Sequence, residues 1–297
     1  MIRMSLRNII LSVFCLAISY NVFGFIIDYK ASDSIQILQL LSQGAQHYGN
    51  NSLNIYYGKK LLGIPYKAHT LECSYLSDRN NPKENLIINL RQFDCTTFVE
   101  TILALSVTTK QRKTTFKDYC YNLMRFRYID GVIDGYTSRN HYYSTWIDNA
   151  VRLNLIQEVV DPTNSLYKKR KLNIHYMSSH PELYPALRGA NKEKYIRQLM
   201  IAEQQQNKYV YYLPTNVLNK SQRELPIIKD GDIIAIETSK DGLDTSHLGI
   251  ALWHSDGTLR FINASSIYKK VVISPTSIYR YLKRQKHAIG IRVLRLR

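Results

Sequence analysis

Two kinds of apolar spacing mark this chain. Phe98, Val99, Ile102, Leu103 and Leu105 recur at the intervals of one face of an α-helix. Asp94 stands just before the run, with a carboxylate suited to the free amides of a first turn, so a helix is predicted to open at Cys95. Further on the period changes to two. Ile233 to Glu237 reads as one strand and Ser246 to Trp253 as the next. In the second strand His247, Gly249, Ala251 and Trp253 share one face, while Leu248, Ile250 and Leu252 share the other. The small residues beside His247 are expected to leave room for a helix or a substrate.

The turn after this strand fixes a register. Ser255, Asp256 and Gly257 fit a three-residue hairpin loop, a type I turn followed by a left-handed glycine. His254 then pairs with Thr258, and Asn263 falls opposite Gly249, diagonal to His247 and on its face. A loop one residue shorter or longer would turn Asn263 to the other side.

Cys95 precedes the apolar stripe instead of sitting in it. In a first helical turn the partial positive charge of the helix end favours a thiolate. The plain alternative is a small apolar residue that opens a helix. Cysteine count bears on the choice. The N-terminus carries Arg3 and Arg7, an apolar run from Ile9 to Ile18, and small Gly24 with Val22 two places before it. Residues 1–24 therefore read as a secretory signal, with an uncleaved anchor as the alternative. Either places the remainder outside the cytoplasm, in the periplasm or secreted. The mature chain keeps Cys73, Cys95 and Cys120, an odd count that leaves a free thiol or an intermolecular bridge. If Cys95 is the free thiol, Cys73 and Cys120 are the only pair left. No C-x-x-C spacing is present, so metal-free chemistry is expected, with no cofactor.

At 297 residues, without repeats or low-complexity tracts, the chain is long enough for one elaborated domain or two smaller ones. Its net charge of +17 falls to +15 without the leader, whose only charges are the two arginines. Such a balance suits anionic surroundings, whether nucleic acid, lipid or acidic wall polymer. No zinc-finger, RNA-binding or homeodomain pattern accompanies it. The densest basic run, YKKRK at 167–171, reads as a solvated loop. A cysteine nucleophile needs a histidine to take its proton and a third group to orient that histidine. His47, His175, His180 and His287 lie in polar surroundings without a pattern, whereas the hairpin brings His247 to Asn263.

These pieces, in this order, resemble the NlpC-like cysteine peptidases and amidases of bacterial cell walls, which share a papain-like core. LGIPYKAHTLE at 62–72 is similar to the Gly-x-Pro-Tyr entry of that family, and FDCTTFVE to its Asp-Cys helix. DGDIIAI at 230–236 is similar to its Gly-Asp strand, and SHLGIALW with FINASS to the strands bearing the other catalytic groups. More than a hundred residues separate the cysteine helix from the Gly-Asp strand. Within them RFRYIDG at 125–131 and SRNHYYSTWIDN at 138–149 resemble a branch of N-acetylmuramoyl-L-alanine amidases. The likeness covers most of residues 55–295. It departs at Asn263, where that branch often carries histidine; asparagine can still orient an imidazole.

The resemblance implies an α+β fold in residues 25–297. A cysteine-bearing helix would lie on an antiparallel sheet, with a mostly helical insertion at about 107–228. It implies Cys95 as nucleophile, His247 as base and Asn263 as orienter, with no metal. Tyr66 would stand near the nucleophile, and Arg139, His141 and Tyr142 would line the substrate cleft. Arg125, Arg127, Tyr128 and Trp146 complete a set of cations and rings suited to a ligand with a sugar at one end and an acidic peptide at the other; the alternative is that this set packs the insertion against the core. The implied partners are peptidoglycan fragments (muropeptides), with no nucleic acid and no stable membrane partner. The implied bond joins N-acetylmuramic acid to L-alanine. A stem-peptide endopeptidase and a non-catalytic wall binder are the alternatives.

Overall fold

The structure, a computed structural model, describes residues 26–47, 52–72 and 83–297. The expected leader and Cys73 lie outside the described residues. Cys120, the other half of the expected pair, is a buried free thiol. Strand β1 (Ile27–Asp28), helices α1 (Ala31–Ala45) and α2 (Leu53–Lys60) and strand β2 (Leu86–Ile87) lead to α3 (Cys95–Lys110). There follow α4 (Phe116–Arg127), α5 (Tyr143–Arg152), β3 (Ile156–Glu158), β4 (Lys168–Lys171), α6 (Tyr176–Ser179), α7 (Lys192–Gln205) and β5 (Tyr209–Pro214). The chain ends with β6 (Ile233–Thr238), β7 (Thr245–Trp253), β8 (Leu259–Ser265), β9 (Lys270–Ile273), α8 (Ile278–Lys283) and β10 (Ala288–Leu296). No helix among the described residues is long and apolar enough to cross a membrane.

The fold is α+β, built on an antiparallel sheet in the order β4-β5-β10-β6-β7-β8-β9, with β3 also on β10. The parallel pair β1–β2 stands apart from it. Both faces of the central strands are covered. Leu248, Ile250, Ile262 and Ala264 pack with Phe98, Val99, Ile102 and Leu103 of α3 in one core. Ile236, Ala251, Phe261 and Ile291 pack on the other face with Ile278 and Leu282 of α8. Covering on both sides explains why β6 is buried at every position and why α3 is buried continuously from Thr97 to Thr109.

Between α3 and β6 helix predominates, in α4, α5, α6 and α7, and the short strands β3, β4 and β5 also extend the main sheet. The basic run is a strand, β4, since Lys168–Lys171 pair residue for residue with Tyr209–Tyr212. Several of the cations and rings expected to meet substrate are packing groups instead. Arg127 is buried, donating to Glu100 Oε2 of α3 at 2.7 Å and to the Ile87 carbonyl at 2.6 Å. The Arg125 guanidinium donates to the Leu153 carbonyl at 3.1 Å. The Tyr128 hydroxyl donates to Glu84 Oε1 at 2.9 Å, and Trp146 stacks between Phe126 and Tyr143. Arg127 ties α4 to α3, Arg125 and Trp146 tie α4 to α5, and Tyr128 ties the end of α4 to the segment before β2.

Candidate active site

Asp94 caps α3 as its extended backbone and short carboxylate allow. Its Oδ1 accepts from the Thr97 amide at 2.8 Å, and the Asp94 amide donates to the Thr97 hydroxyl at 3.1 Å. The Thr70 hydroxyl secures the other carboxylate oxygen at 2.7 Å. Cys95 thus occupies the first turn of a helix whose end is fixed, half-buried and facing β7. Cys95 packs against the core that includes Leu248 of β7, the residue next to His247.

The hairpin register holds. Gly257 has φ +76, the His254 amide donates to the Thr258 carbonyl at 2.9 Å, and the ladder runs from Trp253–Leu259 to Ile250–Ile262. Past that point side chains make the link: His247 Nε2–H donates to Asn263 Oδ1 at 3.0 Å. This bond leaves Nδ1 as the basic nitrogen of the neutral ring. Gly249 serves this contact rather than clearing a path for helix or substrate. A Cβ there would lie 2.5 Å from the Phe261 ring and 3.2 Å from Asn263 Cβ.

Charge states follow from burial. Burial pushes the Cys95 thiol up to about 12, and the Asp94 carboxylate adds to that. The Leu248 amide, the Thr96 hydroxyl and the Cys95 amide oppose the shift without overcoming it. Burial thus opposes the thiolate that the helix end favours. Burial also lowers His247, while Asn263 and Asp94 favour its charged form. Both shifts favour the neutral forms, thiol and imidazole.

Tyr66 is held over the site by backbone pairing, with its amide on the Lys269 carbonyl at 2.9 Å and Lys67 on Phe93. Burial and then the nearby Cys95 raise its hydroxyl pKa. A group not evident from sequence joins it. Tyr281 of α8 lies over His247 with ring centroids 6.1 Å apart, and meets Phe261 edge-on at 5.0 Å. Burial raises Tyr281 to about 12, with Cys95 the next cause. No motif in the sequence aims this ring at His247.

A cleft of about 240 Å³ adjoins Asp94 and Thr96 and includes Arg139, His141 and Tyr142 in its lining. None of the three is a free handle. Arg139 is 6% exposed, with Nη1 on Glu72 Oε1 at 2.6 Å and a forked pair of bonds to Glu84 at 3.0 and 2.9 Å. Burial, then the Arg139 charge, lowers His141 to about 3, and its Nε2–H donates to the Tyr136 carbonyl at 2.7 Å. The Tyr142 hydroxyl donates to Glu203 at 2.7 Å and accepts from the Met177 amide at 2.7 Å. No group of three or more metal-ligating side chains occurs among the described residues.

Comparison with solved structures gives close matches. A crystal structure of an N-acetylmuramoyl-L-alanine amidase from Bacteroides uniformis is 41% identical, over 86% of this chain and 99% of its own, with a TM-score of 0.74. One described as a putative xylanase from Bacteroides fragilis is 44% identical over 81% of this chain and 99% of its own, with a TM-score of 0.72. A Legionella pneumophila protein, 21% identical over 90% of this chain and 96% of its own, shares the fold with a TM-score of 0.62. Comparison with curated proteins gives no match. A family model described as AmiA-like, N-acetylmuramoyl-L-alanine amidase-like, matches residues 56–291. With the fold, the hairpin and the cysteine helix all inside that span, the chain belongs to this amidase-like family of cell-wall hydrolases.

Proposed function

We propose that this protein hydrolyses the amide between N-acetylmuramic acid and L-alanine, in peptidoglycan or its turnover fragments, with Cys95 as nucleophile on a papain-like core. The observation that carries the proposal is the His247–Asn263 bond of 3.0 Å, made from β7, whose Leu248 belongs to the core that Cys95 packs against. As the sulfur attacks the lactyl carbonyl, its proton passes to His247 Nδ1. The Cys95 amide is positioned to join the donors that stabilise the oxyanion. The imidazolium then gives its proton to the departing alanine nitrogen as the C–N bond breaks, leaving a thioester. Water, deprotonated by His247, attacks the thioester and releases the lactyl carboxylate with the thiol restored. Asn263 holds the ring's orientation through both halves. The apolar, arginine-flanked N-terminal segment supports action outside the cytoplasm.

The name of the Bacteroides fragilis neighbour raises a glycosidase reading. That chemistry needs two carboxyl groups free to act across a cleft. Here Glu72 is tied to Arg139, and Asp94 to its helix cap and Thr70.

Mass spectrometry of a defined muropeptide after incubation tests the proposal. The expected products are a peptide with a free N-terminal L-alanine and a sugar ending in a lactyl carboxylate. Cleavage inside the stem peptide would overturn it in favour of a peptidase.

The pH profile carries a second expectation. An imidazolium cannot accept the thiol proton, so activity falls toward acid as His247 charges. Burial lowers its pKa below the ordinary 6.5, so the acid half-point of kcat/KM is expected below pH 6.5. A half-point above that value would contradict the neutral pair.

A further inference from the structure

The basic run in β4 has no task in the site just described, yet its arrangement is ordered. Pairing with β5 sets Lys169 opposite Tyr211 and Lys171 opposite Tyr209, while Arg170 stands opposite Val210. Alternation along a strand divides these into two faces. Arg170 turns inward to the Thr238 carbonyl at 2.5 Å, with Val210 buried beside it. Lys169, Lys171, Tyr209 and Tyr211 share the outer face. The Lys169 ammonium lies 4.5 Å from the centre of the Tyr209 ring and 5.7 Å from that of Tyr211. Tyr209 is 61% exposed.

Nearby cations are already paired, Arg170 with Glu237 and Lys208 with Asp148. Lys168, Lys169 and Lys171 are exposed and have no ion pair among the described residues. Charge on an edge strand also prevents sheet-to-sheet pairing. That role needs the lysines alone. It does not call for an exposed tyrosine beside them, which is surface a ligand would cover.

The row Leu213, Ile291, Ile236, His247 crosses four paired strands on one face of the sheet. Tyr209 and Tyr211 alternate with Leu213, so they continue the face that carries His247. Three interstrand steps put β5 roughly 15 Å from β7. Leu213, Ile291 and Ile236 between them are buried under the second core, so a ligand at β4–β5 would be gripped beside the site and not within it, which suits a polymer and not a single muropeptide.

We infer that the Lys169–Lys171–Tyr209–Tyr211 face is a second, non-catalytic hold on the anionic glycan–peptide polymer. Tyrosine faces would stack on the C–H faces of sugar rings, and the ammonium groups would meet carboxylates of the stem peptides. The inference rests on the proposed wall substrate for the identity of its ligand, though not on cleavage.

Co-sedimentation of the full chain with purified insoluble peptidoglycan tests it, using a Cys95→Ala background so that the polymer stays intact. Lys169→Ser combined with Lys171→Ser, and separately Tyr209→Ser, is expected to weaken binding by about tenfold each. Turnover of a soluble muropeptide by the same variants with Cys95 retained should be unchanged. Binding equal to the parent in both variants would overturn the inference whether or not muropeptides are cleaved. Binding lost in the variants, with no cleavage by the parent, would leave this surface standing and remove the proposed activity. Loss of binding to double-stranded DNA, with wall binding intact, would overturn the inference in favour of a nucleic-acid surface.

Discussion

Replacing Cys95 by alanine is expected to lower hydrolysis of the muramoyl–alanine amide by roughly four orders of magnitude or more, with the fold intact. In the proposed mechanism the sulfur forms the thioester, so its loss removes the covalent route itself. Structural damage should be small. The helix start depends on Asp94 and Thr97, whose reciprocal bonds do not involve the thiol. Alanine is a good helix former in a first turn. Cys95 sits at the edge of the core, and alanine keeps the Cβ that packs there. Turnover of a defined muropeptide and a thermal melt would be measured side by side. Hydrolysis at the parent rate would end the cysteine mechanism, and a collapsed melt would show that Cys95 serves packing first.

The parts of the site that sequence disclosed are those fixed by local rules. A cap, a first turn and a three-residue hairpin involve neighbours in the chain, so Asp94, Cys95, His247 and Asn263 could be placed by counting. What required the structure was nonlocal. The burial that raises the Cys95 thiol comes from elements packed over it, and position in a helix carries no record of that burial. Tyr281 reaches His247 from a short helix that follows β9, with no pattern to aim it. Lys168–Lys171 has poor strand propensity and becomes a strand only because Tyr209–Tyr212 pair with it. Arginines and aromatic rings in the insertion spell the same composition whether they grip a ligand or dock helices. The partner that decides for Arg127 is Glu100 on α3, far from it in the chain.

Arg139 poses the same ambiguity, and here the expected effect on stability is large. Arg139→Ala should destabilise the fold by about 3–5 kcal/mol, because removal strands buried carboxylates rather than freeing a surface charge. Glu72 and Glu84 are 7% and 9% exposed, and both take hydrogen bonds from this one guanidinium. Arg139 itself comes from the segment before α5, while Glu72 and Glu84 flank α3 on the N-terminal side, so the cluster fastens the cleft wall to the core. In a chain of this size the loss corresponds to a fall in Tm on the order of 10 °C. Arg139→Lys should recover only part of it, since one ammonium cannot reproduce the fork to Glu84 and the bond to Glu72 together. Thermal melts of the two variants, with KM for a muropeptide, separate the possible roles. A lowered Tm with KM little changed at a temperature where the variant stays folded identifies a buried strut. An unchanged Tm with a strongly raised KM would instead assign the guanidinium to a substrate carboxylate, and would mean that the two glutamates are not what holds it.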